Sequence, residues 1–333
     1  MLSPSKLWLP KLRWSARALS TSASVSLRRS YLYVPSSLDK MLNKSLVSNS
    51  DMLIYDLEDS VPPAPTDKAA ARSRLSAFLA NRDLPPPDRV AVRVNDLTTP
   101  FFLDDIAQIV ASQSVGSLVL PKVHSAEDLD RISEAIHAVR GAPLGLVASI
   151  ESARAMFNLG SIAAWKSQSG QQTLKAILFA AEDCETLSQL LLVLYCADTS
   201  ILRSPSRLEL LYTRSQIVIA AKTFGLEAID MVCVNYKDTQ YLEEECKDGR
   251  RLGFTGKQAI HPAQVDIIQG AFVPTEQEIE RAAKIVHKMG QSHALNRGAA
   301  GLEGEMIDMP MILQAEKTLQ IARAAQLKIP EIE

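Results

Sequence analysis

Short apolar runs alternate with longer segments of helical length through most of the chain. Eight of these runs have the length and composition of buried strands, and they lie at Tyr31–Pro35, Met52–Leu57, Val90–Val94, Ser117–Val123, Leu144–Ile150, Ala176–Ala181, Ala228–Val234 and Gly256–Ile260. Segments of helical length separate most of them, at Ala69–Ala80, Leu103–Val110, Ala126–Val139 and Leu210–Phe224. Eight strands that alternate with helices over about 240 residues predict an α/β fold, a (β/α)8 TIM barrel that occupies residues 29–270.

Two further patterns bear on the fold. A doubly wound open sheet is the second interpretation, but no G-x-G-x-x-G motif follows the first predicted strand, which counts against a dinucleotide site. Residues 271–333 contain two more helical patterns, at Glu276–His287 and Met311–Leu327. They predict a C-terminal helical arm beyond the barrel.

Nearly every predicted strand ends in polar side chains. The run Ala176–Ala181 is apolar throughout and stops at two carboxylates, Glu182 and Asp183. Because the carboxyl ends of all barrel strands meet at one rim, we expect these polar groups to form a site there. The polar residues that follow or end the strands are Asp56, Glu58, Asp59, Arg93, Asn95, Lys122, Glu151, Glu182, Asp183, Asn235 and His261.

Two acids of this set suggest a metal site. Glu151 and Asp183 end adjacent predicted strands, so we expect both carboxylates within reach of one ion. Oxygen ligands without His or Cys beside them favour Mg²⁺ or Mn²⁺, whereas solvated acids, or acids bound by Arg93, are the alternative. Arg93 can hold a carboxylate or carbonyl oxygen through two N–H groups, or it can form a structural ion pair with Asp56 or Glu58.

Basic residues near the first and last strands are weaker candidates. Lys40 and Lys44 follow Ser36–Asp39, a segment that can cap a helix, and their spacing puts both on one helix face. That face can bind a phosphorylated ligand or simply be solvated. His261, followed by Pro262, is a lone histidine at a strand end, and such residues are more often structural than basic catalysts.

Asp308 is a candidate of a different kind, because it lies well beyond the eighth predicted strand. The glycine-rich stretch Gly298–Gly304 precedes it and predicts a loop or hairpin. A flexible segment therefore carries this carboxylate. The alternative is a solvated loop residue without a role in chemistry.

The first 28 residues differ in composition from the rest of the chain. No Asp or Glu occurs before Asp39, whereas basic residues are spread among many serines. This composition is typical of a mitochondrial transit peptide, and a disordered basic tail is the alternative. We therefore expect the mature protein in the mitochondrial matrix.

Overall composition argues against several other classes of protein. The 333 residues carry a formal charge of −2, which provides no basic surface for nucleic acid. No apolar run approaches the roughly 20 residues that a membrane span needs. The four cysteines, Cys184, Cys196, Cys233 and Cys246, lack C-x-x-C spacing and predict neither a disulfide framework nor a zinc site.

Six short motifs are distinctive, and they are Tyr31–Pro35, Tyr55–Asp59, Val92–Asn95, Leu120–Val123, Gly253–Pro262 and Met306–Pro310. Together they resemble the citrate lyase β-subunit-like family, which belongs with the HpcH/HpaI aldolases, and most of all its mitochondrial branch. The resemblance runs from about Arg29 to Gln326, and Gly253–Pro262 is its most specific motif.

The resemblance implies a Mg²⁺-dependent barrel, usually a homotrimer, that acts on CoA thioesters of 3-hydroxy acids. Cleavage of a substrate such as citramalyl-CoA or malyl-CoA would give acetyl-CoA and an α-keto acid. The residue roles that the resemblance implies are metal binding by Glu151 and Asp183, catalysis by Arg93 and Asp308 (the latter in a neighbouring subunit's site), and substrate or CoA binding by Tyr33, Lys40, Lys44, Arg93, His261 and Pro262.

One segment departs from the family pattern. Eleven residues, Cys184–Leu194, lie between Asp183 and Tyr195, where the family's sequence pattern resumes. The insert puts the geometry of Asp183 in doubt, so a CoA-thioester-binding protein with impaired catalysis is one alternative. Malate-synthase-like condensation or thioester hydrolysis at the same site is the other.

Overall fold

The computed structural model describes residues 26–81, 83–181, 199–294, 300–302 and 305–332. These residues fall into two compact units, one of residues 27–275 and one that contains residues 276–332. The predicted transit peptide, apart from its last three residues, lies outside the described residues. Asp183 and the whole insert Cys184–Leu194 lie outside them as well.

The first unit is a closed barrel of eight parallel strands. Each strand pairs with the next in sequence, and the last pairs with the first, for example Tyr31 with Gln258. This closure confirms the predicted (β/α)8 barrel and excludes the open sheet. The strands are β1 (Ser30–Pro35), β2 (Met52–Asp56), β3 (Val90–Arg93), β4 (Ser117–Leu120), β5 (Leu144–Ile150), β6 (Gln172–Phe179), β7 (Glu227–Asp230) and β8 (Gly256–Ala259).

Helices follow the strands around the outside of this barrel. Short 3-10 turns at Pro87–Arg89, Leu208–Leu210 and Pro262–Gln264 complete the connections. The helices described in this unit are α1 (Asp39–Ser45), α2 (Pro65–Leu79), α3 (Phe102–Ile109), α4 (Ala126–Val139), α5 (Ala153–Phe157), α6 (Leu159–Ala164), α7 (Leu211–Thr223), α8 (Thr239–Leu252) and α9 (Val265–Ala271).

The barrel strands are apolar on both faces because both faces are covered. Alternate side chains point to the barrel interior or to the helices. The interior layer includes Tyr31, Ile54 and Leu178, and the outer layer includes Leu53 and Ile177. Strand β6 begins at Gln172, four residues before its predicted start. Buried and exposed residues alternate over its first half, which therefore lacks the continuous apolar run that the prediction relied on.

A glycine allows the barrel to close between its first and last strands. A Cβ atom at Gly256 would lie 2.5 Å from the backbone oxygen of Arg29, so only glycine fits at the start of β8. Gly253, with a φ of 102°, ends α8 in the left-handed conformation. The motif Gly253–Pro262 thus owes two of its glycines to backbone geometry.

The C-terminal unit is helical with a small hairpin. It consists of α10 (Glu276–Ala294), the antiparallel strands β9 (Ala300–Leu302) and β10 (Glu305–Ile307), and α11 (Met309–Ala324). Ile279, Met289, Ile312 and Leu319 are among the residues of its own apolar core. The predicted helical extension and hairpin are therefore present. None of the helices described is long and apolar enough to cross a membrane.

Candidate active site at the carboxyl ends of the strands

Six charged residues, which we call the rim cluster, lie at the carboxyl ends of four neighbouring strands. Asp56 and Arg93 are the last residues of β2 and β3, and the other four lie within three residues after β2, β4 and β5. The predicted convergence of these strand ends on one rim accounts for their proximity. The members of the rim cluster are Asp56, Glu58, Asp59, Arg93, Lys122 and Glu151.

Arg93 is the centre of the rim cluster. Its Nε and one terminal nitrogen contact the two carboxylate oxygens of Asp56, each at 2.7 Å. The other terminal nitrogen lies 3.0 Å from Glu58 and 3.1 Å from Asp59. This fork of hydrogen bonds fixes the plane of the guanidinium group, and the side chain is only 14 % exposed.

Lys122 supplies the second positive charge of the cluster. Its Nζ lies 3.0 Å from the carboxylate of Glu58. The Lys122 backbone has a φ of 53°, a left-handed conformation that costs energy in a residue with a side chain. Such strain is concentrated at functional sites, and here it directs a cation toward the rim acids.

The rim cluster contains more acid than the two cations neutralise. Burial is the largest influence on the pKa of Glu58 and raises it to about 7. The Arg93 charge opposes this shift, whereas the charges of Asp59 and Glu151 add to it. Burial likewise raises the pKa of Asp56, but the charge and hydrogen bonds of Arg93 outweigh it and the net pKa is lowered. Asp56 therefore remains the firm partner of Arg93.

Glu151 is the described member of the predicted metal pair. It follows β5 directly and is buried. Burial raises the pKa of Glu151 more than the Ser149 hydroxyl and the Arg93 and Lys122 charges lower it. A buried carboxylate in acid-rich surroundings is suited to a bound cation, so this residue fits a Mg²⁺ ligand.

The second predicted metal ligand, Asp183, lies outside the described residues, and its role stays a prediction. Within the parts of the chain that the structure describes, no group of three His, Cys, Asp or Glu residues is arranged to hold a metal ion. What the described residues provide is the buried carboxylate of Glu151 near the charges of Glu58 and Asp59.

Tyr33 connects the rim cluster to the barrel interior. The Arg93 guanidinium lies over its ring, 4.7 Å from the centroid. Its hydroxyl donates to Gln258 Oε1 at 3.0 Å, and burial raises its pKa, so the phenol is neutral. Sequence reasoning missed Gln258, although a polar residue within an apolar strand was a signal that it has bonded partners.

The other predicted CoA-binding residues follow the carboxyl ends of β1 and β8. Lys40 and Lys44 are exposed and one turn apart on α1, as predicted. The proposed capping segment was wrong, because Leu38 is the N-cap and no side chain caps this helix. His261 and Pro262 are exposed after β8, and the His261 ring stacks on Tyr236 at a centroid distance of 4.8 Å.

Two other predicted residues have structural contacts. Asn95 was expected at the rim, but its side-chain amide donates to Asp105 of α3 at 2.7 Å, so it holds a helix to the barrel. Asp308 belongs to the C-terminal unit and caps α11 by accepting from the Met311 N–H at 3.0 Å. Asp308 is exposed, so a solvated residue without a role in chemistry stays the alternative to its predicted acid/base role.

The described geometry can perform two tasks. A rigid, buried guanidinium held in one plane can bind the oxygen of a keto acid or a developing enolate. The neighbouring carboxylates of Glu58 and Glu151 offer oxygen ligands of the kind that a divalent cation prefers, but no three described acids are arranged to hold one by themselves. Together these features favour chemistry on an oxygen-rich anionic substrate.

Comparison with known proteins identifies related molecules. The family described as HpcH/HpaI aldolase/citrate lyase matches residues 29–262. The mitochondrial citramalyl-CoA lyase of Homo sapiens is 32 % identical over 330 residues, which cover 96 % of this chain and 92 % of the human protein. The (3S)-malyl-CoA thioesterase of Cereibacter sphaeroides is 33 % identical over 296 residues, 89 % of this chain and 95 % of the bacterial one.

A solved structure agrees with these relatives. The protein CitE from Mycobacterium tuberculosis, in complex with magnesium, acetoacetate and coenzyme A, is similar with a TM-score of 0.68 and 26 % sequence identity. The similarity covers 90 % of this chain and 99 % of that chain.

Proposed function

The chain belongs to the HpcH/HpaI aldolase/citrate lyase family, and from that premise we propose that it is a Mg²⁺-dependent carbon–carbon lyase. Its substrate is a 3-hydroxyacyl-CoA thioester such as citramalyl-CoA or malyl-CoA, which it cleaves to acetyl-CoA and an α-keto acid. The observation that carries the proposal is the buried, forked Arg93 beside an excess of rim carboxylates. Magnesium, acetoacetate and coenzyme A bound to the related CitE protein support this choice of ligands.

Glu151 and Asp183 would hold Mg²⁺ in this proposal. The bound ion would supply a fixed positive charge near the oxygen that becomes the keto-acid carbonyl. Glu151 contributes a buried carboxylate whose own surroundings provide too little positive charge. The role of Asp183 rests on its position in the sequence after β6.

Arg93 would bind the keto or carboxylate oxygen and stabilise the departing enolate. Asp56 holds two of its nitrogens, which keeps the guanidinium from reorienting when substrate binds. The third nitrogen contacts Glu58 and Asp59, and Asp59 is exposed. This third nitrogen of Arg93 can replace its contact with the Asp59 carboxylate by a contact with a substrate oxygen, while the ion pair with Asp56 is kept.

Five residues would contact the rest of the thioester. Lys40 and Lys44 present two ammonium groups on one exposed helix face, which suits the phosphates of CoA. Tyr33 would contact the acyl group or the CoA, and His261 with Pro262 would contact the CoA backbone. These assignments follow the family motifs in this sequence.

Asp308 would act as acid or base in the site of a neighbouring subunit, within a homotrimer. The N-cap hydrogen bond fixes this carboxylate at the first turn of α11. Its expected contribution is removal of the 3-hydroxyl proton from the substrate, a task typically worth 10²–10⁴-fold in rate.

The mature protein would lie in the mitochondrial matrix after removal of residues 1–28. The basic, acid-free composition of this segment supports the assignment. The mitochondrial citramalyl-CoA lyase relatives of human and rat support it as well.

An assay of the mature chain with citramalyl-CoA, malyl-CoA and Mg²⁺ tests the proposed function. We expect acetyl-CoA and the matching keto acid, and a loss of about 10²–10³-fold in kcat for Arg93→Lys, because lysine cannot form the fork. Asp308→Asn should lose turnover and keep CoA binding. Arg131→Lys, an exposed arginine on α4, is the matched control and should retain full activity.

The products also decide between the proposal and its alternatives. Free CoA with an intact hydroxy acid would identify a thioesterase, the activity named for the Cereibacter sphaeroides relative. Free CoA and a hydroxy acid formed from acetyl-CoA, a keto acid and water would indicate malate-synthase-like condensation, whereas formation of the thioester alone is the reverse of the lyase reaction. CoA binding without any product, from a folded protein, would contradict the lyase and leave a binding protein.

A further inference from the structure

Gln258 is a buried polar residue in the middle of β8. Its side chain is 2 % exposed. Its sequence neighbour Ala259 belongs to the outer layer of the barrel, and strand side chains alternate, so Gln258 points to the barrel interior. A polar group in that position must find partners inside the barrel.

The partners of Gln258 lie on three different strands. Its Nε2 donates to the backbone oxygen of Phe179 at 2.7 Å and to that of Asp230 at 3.1 Å, the last residues of β6 and β7. Its Oε1 accepts from the Tyr33 hydroxyl of β1 at 3.0 Å. A reversed amide would direct Oε1 at two carbonyl oxygens, so the two donors fix which atom faces Tyr33.

Tyr33 transmits this constraint to the rim cluster. Because Gln258 Oε1 can only accept, the phenol must donate, and its ring is held in one position. The Arg93 guanidinium lies over that ring at 4.7 Å. One face of Arg93 is therefore defined by Tyr33, while its edge is defined by Asp56.

We propose that Gln258 is a positioning residue that acts through Tyr33 to place the Arg93 guanidinium for substrate. The inference rests on the proposed function, in which Arg93 binds the keto-acid oxygen. In this proposal Gln258 acts from behind Tyr33, and its own side chain is assigned no contact with substrate. A shift of about 1 Å in a catalytic group can cost up to 10²-fold in rate, so a residue behind the site can govern turnover.

Gln172 provides a matched control within the same barrel. It is also 2 % exposed, but it lies at the start of β6, away from the rim. Its Oε1 contacts the hydroxyls of Ser133, Ser167 and Ser169. Loss of either glutamine removes buried hydrogen bonds, and only Gln258 is connected to Arg93.

The test compares Gln258→Met with Gln172→Met in the mature chain, since methionine keeps the length of the side chain without its hydrogen bonds. Both variants should unfold at lower urea concentration than the parent. Only Gln258→Met should lower kcat, by about tenfold, with KM for the thioester nearly unchanged. Equal kcat values for the two variants would overturn the proposal.

A double-mutant cycle shows whether Gln258 acts through Tyr33. Tyr33→Phe removes the hydroxyl and keeps the ring. The double variant should lose no more activity than the more impaired single variant, because both changes break the same connection. Losses that multiply would show independent effects and reject the positioning role.

Nitrogen NMR of the arginine side chains separates this inference from the proposed function. The Arg93 Nε–H signal, assigned with Arg93→Lys, should shift in Gln258→Met and not in Gln172→Met. If the parent lacks lyase activity and the signal still shifts, the function fails and the positioning stands. An unchanged Arg93 signal in an active parent rejects the positioning alone.

Discussion

The barrel contains two clusters of charged side chains, one partly exposed at the rim and one largely buried, and their charges are balanced differently. The rim cluster has four acids and two cations. The second group, which we call the outer network, lies between β7, β8 and their helices and has three acids and four cations. Its members are Arg203, Arg207, Arg214, Asp230, Glu245, Asp248 and Lys257.

Glu245 shows how the outer network satisfies its own charges. This carboxylate is fully buried, 2.6 Å from Arg203 and 3.0 Å from Lys257. Burial raises its pKa, but the charges of Lys257 and Arg203 outweigh burial and lower the pKa to about 2. Arg203 also donates to the backbone oxygens of Ala181 and Val232, and so holds the ends of β6 and β7.

Arg214, which lies on α7, completes the outer network. It contacts Asp230 at 2.8 Å and Asp248 at 2.6 Å. Space here is tight, because a Cβ atom at Gly249 would lie 2.6 Å from the Asp230 carboxylate. The outer network is therefore a packed structural element.

This difference indicates where the fold would bind an external cation. In the outer network the pKa of the central acid is lowered, because the protein provides enough cations. At the rim burial raises the pKa values of Glu58 and Glu151, and the charges of Arg93 and Lys122 are too weak to reverse this. A deficit of positive charge beside a fixed arginine is what a divalent cation would correct.

The largest expected effect is on the stability of the outer network. Glu245→Gln would leave Arg203 and Lys257 buried without a counter-charge, which typically costs 3–5 kcal/mol. We expect the free energy of unfolding, measured with urea, to fall by about that amount.

The control for this change lies on the same helix. Glu243 forms an exposed pair with Lys247, four residues along α8. Glu243→Gln should alter the free energy of unfolding by less than about 1 kcal/mol. Equal losses for the two variants would show that the outer network is not the structural element inferred.

The second prediction concerns Glu151 and Mg²⁺. Glu151→Gln should be at least as stable as the parent without metal, because burial of its charge is unfavourable. A saturating ion at 100 times its Kd stabilises the parent by about 2.7 kcal/mol, and the variant should lose most of that gain. Unfolding with and without Mg²⁺ measures both quantities.

Glu134→Gln, an exposed glutamate on α4, is the control for the loss of one negative charge. It should keep the full stabilisation by Mg²⁺. A Glu151→Gln protein that is stabilised as strongly as the parent would remove Glu151 from the ion site and would weaken the contrast between the two regions.

The fold could be predicted from the sequence because the patterns that indicate strands and helices are local. Each of the eight apolar runs contains or overlaps one strand, and β5 coincides with its predicted range Leu144–Ile150. Helix α4 also coincides with its prediction. A strand or helix is indicated by the spacing of apolar residues that are close together in the chain, and this spacing is visible in the sequence.

The site could be predicted only in part, because contacts between side chains depend on side-chain orientation and on residues that are distant in the sequence. Asn95 follows β3 by two positions, yet its side chain turns to α3 rather than to the rim. Arg203 and Glu245 are 42 residues apart, so no local pattern reveals their pairing. Gln258 lay in a predicted strand, and only the closed barrel brings it to Tyr33.

The smallest expected effect is a pH dependence that has opposite signs in the two regions. Glu58 has a raised pKa of about 7 in the folded protein, so the folded state binds more protons than the unfolded state between pH 4.5 and 7. Its contribution to stability is therefore lost as pH rises through that window. Glu245, with a pKa of about 2, stabilises the fold above pH 4.5 and loses this contribution as pH falls toward 2.

Urea unfolding at pH 3, 5 and 7 in Mg²⁺-free buffer measures both contributions. Glu58→Gln should flatten the decline between pH 5 and 7 by about 1–2 kcal/mol and leave the acid decline unchanged. Glu245→Gln should flatten only the acid decline. All three proteins share every other titratable residue, so the differences isolate the two carboxyl groups. A Glu58→Gln protein with the parent's slope between pH 5 and 7 would show that Arg93 and Lys122 already neutralise the rim, and the contrast with the outer network would disappear.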